Sequence, residues 1–169
     1  MKAAPVVGAL QRMGERPVLI HTGQHYDPSM SDVFFHQLGL PEPEENLGVG
    51  SGSHGTQTAA LLVALEELFE RRRPSRVVVY GDVNSTLAAA VCASKLHIPI
   101  AHVEAGLRSF DRTMPEEINR VVTDALADMH FVTSPEAMGH LAREGIPAEF
   151  MHFVGNPMID TLRRFQDLV

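Results

Sequence analysis

Residues 76–95 read RVVVYGDVNSTLAAAVCASK and determine which fold the chain can adopt. The run from Val77 to Tyr80 is short, apolar and mostly β-branched, which is typical of a strand covered on both faces. The alanine-rich run from Asn84 to Lys95 has the composition of a helix. We therefore predict a buried strand, a short turn through Gly81 and Asp82, and a helix, which together form the repeating unit of an α/β protein.

The same alternation continues along the rest of the chain. Further strands are predicted at 17–21, 99–103, 129–132 and 150–154, and helices at 4–13, 56–73, 115–127, 135–143 and 157–168. This order predicts a parallel sheet with helices on both faces. Because no strand precedes the first helix, we expect a truncated chain that lacks the opening strand of its sheet.

Composition restricts the class of protein. The 169 residues suffice for one domain, and a net charge of -7 disfavours nucleic acids and anionic membranes as partners. The single cysteine cannot form an intrachain disulfide, and neither a secretory signal nor an apolar run of about 20 residues is present. We expect a soluble cytoplasmic protein.

Two carboxylates follow predicted strands. Asp82 comes one glycine after the first strand, and Glu104 directly follows the strand at 99–103. Open α/β sheets bind ligands at this end of their strands, and neighbouring strands lie about 4.8 Å apart, so both groups could serve one pocket. A helix cap at Asp82 and a solvated loop at Glu104 are equally compatible with the spacing.

A second acidic pair opens the helix predicted at 115–127. Glu116 and Glu117 follow Pro115, and acids in the first turn after a proline are ordinary helix-start chemistry. Taken alone, the spacing favours that structural role. Arg108 and Arg120 flank the same loop and could either hold a phosphate or neutralise the acids.

The nine histidines do not predict a metal centre. His21 and His25 straddle the end of a strand, and the spacing typical of structural or catalytic zinc sites is absent. His102 and Glu104 alternate along an extended segment and would point the same way. We expect neither a metal nor a cofactor.

Five ordered blocks resemble the non-hydrolysing UDP-N-acetylglucosamine 2-epimerases. They are TGQHY at 22–26, GDVNST at 81–86, HVEAGLR at 102–108, MPEEINR at 114–120 and GNPMID at 155–160. The resemblance implies a two-domain fold like that of the GT-B glycosyltransferases, with substrate between two Rossmann-like halves. Residues 1–169 would form the N-terminal half without its first strand, and the second domain would lie outside this chain.

The resemblance also implies a reaction. Such enzymes invert C2 of the sugar in UDP-GlcNAc to give UDP-ManNAc, by eliminating UDP and adding it back to a 2-acetamidoglucal. The implied partners are a UDP-sugar and a second copy of the chain. Alternatives are an epimerase for UDP-2,3-diacetamido-glucuronic acid, and a non-catalytic module that binds a sugar nucleotide or dimerises. On this view a chain of this length would be inactive by itself.

The matching motifs imply the site residues. Asp82, Glu104 and Glu116 correspond to the catalytic acids of that family, and Asp82 and Glu104 also to its substrate contacts. Lys2 corresponds to a lysine near the substrate, as a partner of the diphosphate. Gln24 corresponds to a glutamine near a second, regulatory UDP-GlcNAc site in some bacterial members. The resemblance thus reverses the structural interpretation of Glu116 and retains it for Glu117.

Overall fold

A computed structural model describes residues 1–23 and 37–166. The chain divides into two compact units. The first comprises residues 1–51 and 156–169, and the second comprises residues 52–155.

The first unit pairs the two ends of the chain. Helix α1 (Ala3–Arg12) packs against helix α6 (Pro157–Phe165), and the Thr161 hydroxyl donates a hydrogen bond to the Met1 carbonyl at 3.0 Å. Strands β1 (Ile20–His21) and β2 (Glu45–Asn46) form a short parallel sheet. Strand β2 escaped prediction because two polar residues carry no apolar periodicity.

The second unit contains the predicted α/β repeats. Its elements are α2 (His54–Arg72), β3 (Val77–Tyr80), α3 (Asn84–Lys95), β4 (Ile100–Ala105), α4 (Pro115–Leu126), β5 (Met129–Val132), α5 (Pro135–Arg143), a 3₁₀ turn (Ala148–Phe150) and β6 (Met151–Phe153). The strands pair in parallel in the order β3-β4-β5-β6. The predicted parallel α/β class is confirmed, and predicted helix bounds differ by at most two residues in this unit.

Strand β4 lies inside the sheet, between β3 and β5. Five of its six residues are buried, which explains its almost continuous apolar sequence. Helix α3 packs against β3, and alanines such as Ala88, Ala90 and Ala93 are fully buried along it. Such small side chains let a helix approach its neighbours closely, so the position of α3 follows from its composition.

Gly106, just after β4, makes a close approach to helix α5. Its φ is +80°, and a Cβ atom built there would lie 2.6 Å from the Ala137 carbonyl oxygen and 3.0 Å from Leu141 Cγ. Ala137 and Leu141 form a buried cluster with Ala105 and Val132. Glycine is therefore required at residue 106, both for its backbone angle and for the space beside it.

We predict that Gly106→Ala lowers the free energy of unfolding by about 2–5 kcal/mol, since left-handed strain of about 1–2 kcal/mol adds to overpacking of about 1–3 kcal/mol. Gly145→Ala is the matched control, because Gly145 has a φ of +88° with nothing within 4 Å of an added Cβ. The control should cost only the strain, about 1–2 kcal/mol. Urea unfolding of both variants measures the difference, and equal losses would contradict the close approach.

Within residues 1–23 and 37–166, no helix combines the length and the apolar character needed to cross a bilayer.

Candidate active site

Strands β3 and β4 bring two carboxylates to one edge of the sheet. Tyr80 pairs with Val103, and the Gly81 amide donates to the Val103 carbonyl at 3.0 Å. Asp82 and Glu104 follow those residues directly. The neighbouring strands assumed in the sequence analysis are therefore present. Asp82 follows β3 after Gly81, whereas Glu104 lies within β4, because this strand continues to Ala105, two residues beyond the predicted end.

Glu104 lies at an irregularity in β4. The register between β4 and β5 shifts between Val103 and Ala105, and Glu104 has a φ of +75°. Of the described non-glycine residues with positive φ, it is the one that lies within a strand. Such a conformation costs about 1–3 kcal/mol and is concentrated at functional sites. The bulge also interrupts the simple alternation expected from His102 to Glu104.

Helix α4 contacts Asp82 through two side chains. Arg120 Nε donates to Asp82 Oδ2 at 2.8 Å, and Nη2 contacts the same oxygen. Asn119 Nδ2 donates to the Asp82 carbonyl at 2.8 Å. Backbone and side chain of Asp82 are thus both fixed by one turn of α4, and the proposed capping of α3 by Asp82 is not observed, since Val83 is the cap residue.

The neighbouring glutamates of α4 have different surroundings. Glu117 is 2% exposed and accepts hydrogen bonds from the amides of Ser109 and Phe110, both at 2.9 Å, and from Arg120 at 3.1 Å. Burial alone would raise the pKa of Glu117, but these hydrogen bonds hold it below its ordinary value. Glu117 therefore organises the loop before α4.

Glu116 is half-buried, and its carboxylate has no polar partner among the described residues. It precedes Arg120 by four residues, and Asp124 follows Arg120 by four more. Residues four apart lie on one face of a helix. Glu116, Arg120 and Asp124 therefore form a row along α4, which we call the α4 row. The ion pair between Arg120 and Asp82 shows that this face of the helix lies toward Asp82.

Asp124, the last member of the α4 row, is fully buried among polar partners. Its Oδ1 lies 2.6 Å from His102 Nδ1, and its Oδ2 accepts from the Gly106 amide at 3.0 Å and lies 2.7 Å from Arg108 Nη1. Arg108 also contacts Glu144. Burial would raise the pKa of Asp124, but the hydrogen bond and charge of His102 and the charge of Arg108 lower it.

His102 joins this cluster to strand β3. Its Nε2 lies 2.8 Å from the carbonyl oxygen of Gly81, the residue before Asp82. Both ring nitrogens of His102 thus face oxygen atoms of the protein. Through these two contacts, His102 on β4 connects the end of β3 to helix α4.

The two arginines left open by the sequence both pair with acids. Arg120 binds Asp82 and Glu117, and Arg108 binds Asp124 and Glu144. Their guanidinium groups are therefore engaged inside the protein. This accounts for the raised pKa of each, in which hydrogen bonds and charges outweigh the opposing effect of burial.

Of the remaining predicted site residues, Lys2 lies in the first unit, directly before helix α1. Gln24 lies outside the described residues. Among residues 1–23 and 37–166, no group of three or more histidine, cysteine, aspartate or glutamate side chains has an arrangement that could hold a metal ion.

Sequence reasoning considered His102 only as a possible metal ligand, and it overlooked Asn119 and Asp124. The signal for Asp124 was present, because the four-residue spacing of the α4 row is visible in the sequence. His102 and Gly106 also flank Glu104 symmetrically, but nothing in the sequence reveals that both bind one carboxylate.

The chain is similar to known proteins over most of its length. Residues 9–169 match the family model described as UDP-N-acetylglucosamine 2-epimerase. A UDP-N-acetylglucosamine 2-epimerase of Methanocaldococcus jannaschii is 48% identical over 95% of this chain and 44% of its own length. A UDP-2,3-diacetamido-2,3-dideoxy-D-glucuronate 2-epimerase of Pseudomonas aeruginosa is 52% identical over 76% of this chain and 36% of its own length.

Solved structures of UDP-GlcNAc 2-epimerases have the same fold as this chain. The crystal structure of the M. jannaschii UDP-GlcNAc 2-epimerase in complex with UDP-GlcNAc and UDP has a TM-score of 0.96 at 46% identity, covering 99% of this chain and 46% of the other. A Neisseria meningitidis UDP-GlcNAc 2-epimerase bound to UDP-GlcNAc has a TM-score of 0.90 at 30% identity. The parallel sheet with helices on both sides and the GT-B-like fold are confirmed. The chain spans less than half the length of the curated relatives it matches.

We predict that the two adjacent glutamates of α4 differ in their effect on stability. Glu117→Gln should lower the free energy of unfolding by about 1–3 kcal/mol, because buried charge-assisted hydrogen bonds are lost. The matched control Glu116→Gln should change it by less than about 0.5 kcal/mol. Urea unfolding of both variants provides the test, and a larger loss for Glu116→Gln would contradict the assignment.

We also predict acid destabilisation through Asp124. Because its pKa is lowered in the folded chain, the unfolded chain takes up the proton first, and stability falls as the pH drops below about 5. Asp124→Asn should flatten this dependence. Thermal melts at pH 7, 5 and 4 measure it, and an unchanged slope in the variant would be the contrary result.

Proposed function

The chain belongs to the UDP-N-acetylglucosamine 2-epimerase family, and we propose that it supplies the acid–base groups of an enzyme that interconverts UDP-GlcNAc and UDP-ManNAc. The observation that carries the proposal is that Asp82 and Glu104 lie at the carboxyl ends of the paired strands β3 and β4, and that helix α4, which carries Glu116, contacts Asp82 through Arg120 and Asn119. This is where open α/β sheets bind their ligands.

The proposed reaction needs groups that exchange a proton with carbon. A base removes the proton from C2, the C2–H electron pair forms a C1–C2 double bond, and the C1–oxygen bond breaks to release UDP. UDP then adds back to C1 while an acid returns a proton to the opposite face of C2. Electrons balance without an oxidant or reductant, so carboxylates can perform every proton transfer.

The surroundings of the three acids suit such work in different ways. Arg120 contacts only one oxygen of Asp82, which orients a carboxylate whose side chain is 25% exposed. The bulge fixes the backbone of Glu104, and the α4 row supplies Glu116. We propose that these three are the catalytic acids and that Asp82 and Glu104 also bind the sugar.

Two substrate contacts remain proposals by family resemblance. Lys2 would pair with the diphosphate, and Gln24 would contact UDP-GlcNAc at a second, regulatory site. A homodimer and a cytoplasmic location likewise remain predictions. The UDP-sugar as ligand is supported by the relatives whose crystal structures contain UDP-GlcNAc.

A second substrate is supported by one relative. The P. aeruginosa protein acts on UDP-2,3-diacetamido-2,3-dideoxy-D-glucuronate, as its name states, and is 52% identical over 128 residues. Both substrates undergo inversion at C2, so the same acids would serve. Assaying both compounds side by side decides which is preferred.

We predict that Asp82→Asn, Glu104→Gln and Glu116→Gln each lower the turnover by about 100- to 10,000-fold, the usual contribution of a general acid or base. The assay uses a full-length fusion, in which residues 1–169 replace the matching 44% of the M. jannaschii enzyme. Deuterium incorporation at C2 from heavy water reports the proton transfer directly. Glu70→Gln, an exposed position on α2, is the control.

Normal exchange in all three variants would contradict the assignment of the acids. A folded fusion that converts neither UDP-sugar would contradict the proposed function. Calorimetry of the 169-residue chain with UDP and with UDP-GlcNAc then tests the non-catalytic alternative, for which sugar-nucleotide binding without turnover is the expected outcome.

A further inference from the structure

Glu104 adopts a backbone conformation that its own side chain disfavours. Its φ of +75° lies in the left-handed region, inside a strand whose register shifts at this residue. A residue other than glycine, asparagine or aspartate persists there only when its surroundings impose the conformation. The neighbours of Glu104 should therefore contain a group that holds the bulge.

One carboxylate holds both sides of the bulge. Asp124 Oδ1 lies 2.6 Å from Nδ1 of His102, two residues before Glu104, and Oδ2 accepts the amide of Gly106 at 3.0 Å, two residues after it. Asp124 is fully buried, so water does not compete for these contacts. The five-residue segment from His102 to Gly106 is thus held at both of its ends by the carboxylate of Asp124.

The same point is connected to the other proposed catalytic acids. Asp124 stands eight residues after Glu116 and four after Arg120, whose guanidinium orients Asp82. His102, held by Asp124, also contacts the carbonyl of Gly81 beside Asp82. A displacement of Asp124 would therefore move the segment that contains Glu104 directly, and it would move the backbone beside Asp82 only through His102.

We infer that Asp124 is a positioning residue, which acts through His102 and the Gly106 amide to set the bulge that presents Glu104. It would not touch the substrate, since its side chain is 1% exposed and occupied by protein partners. The inference rests on the proposed function only where it concerns turnover. The effect on the backbone at Glu104 stands without it.

The structural consequence is tested on the 169-residue chain with Asp124→Asn. The amide has one oxygen acceptor in place of two and carries no charge, so the charge-assisted hydrogen bonds to His102 and to the Gly106 amide are weakened and at most one of them keeps an oxygen acceptor. We expect the Gly106 amide to exchange with solvent at least about 10-fold faster than in the unmodified chain. Glu144→Gln is the matched control, because it removes the outer partner of Arg108 but leaves the Asp124 contacts to His102 and Gly106 in place.

The catalytic consequence is tested in the full-length fusion. A displacement of about 1 Å in a reacting group costs about 100-fold, so kcat of Asp124→Asn should fall by about that factor with KM within about 3-fold. Glu144→Gln should keep the unmodified kcat. Combining Asp124→Asn with Glu104→Asp should give a loss smaller than the product of the two single losses, since both act through one group.

The experiments distinguish a failure of this inference from a failure of the proposed function. If the unmodified fusion epimerises UDP-GlcNAc and Asp124→Asn keeps both its kcat and its Gly106 protection, the inference is wrong while the proposed function stands. Inactivity of the unmodified fusion overturns the proposed function, and amide exchange still decides the inference. If Asp124→Asn does not fold, His102→Gln takes its place, with a partial loss of kcat expected and an unchanged kcat contradicting the inference.

Discussion

The buried carboxylate of Asp124 is the contact on which the arrangement of the site depends. It lies between the side chains of His102 and Arg108 and a backbone amide, and it is completely removed from water. A carboxylate buried without partners would be protonated or would destabilise the fold, so Asp124 depends on these contacts to stay buried. The position of α4 against β4 is therefore determined by the polar contacts of Asp124 as well as by apolar packing.

The α4 row links segments of the proposed site that are distant in the chain. The helix contacts Asp82 through Arg120 and the Glu104 segment through Asp124, and it carries Glu116 on the same face. One rigid element thus sets the relative positions of residues from three parts of the sequence. Sites built on helices and strands hold reacting groups more accurately than sites built on loops.

Much of the fold was predictable because strong local signals agree with the tertiary structure. The apolar runs of β3 and β5, and the proline starts of α4, α5 and α6, are all observed. The short polar strand β2 carries no such signal. The positive φ of Glu104 could not be predicted either, because a bulge at a non-glycine residue is imposed by contacts distant in sequence, here by a helix about twenty residues away.

The site was predictable in part. Spacing alone placed Asp82 and Glu104 at strand ends and left Glu116 with a structural role, and only the family resemblance gave it a chemical one. The structure separates Glu116 from Glu117 on physical grounds, since Glu117 is buried with four donors while Glu116 has no polar partner among the described residues. Asp124 emerges only when both ends of the Glu104 segment are seen to meet one side chain.

The central claim, that three acids act on one sugar, is tested most directly by a crystal structure of the full-length fusion with UDP-GlcNAc bound. The account predicts a carboxylate oxygen of Asp82, Glu104 and Glu116 each within about 3.5 Å of the same hexose or of one bridging water. A hexose bound away from any two of these carboxylates, in an enzyme that still turns over, would contradict it.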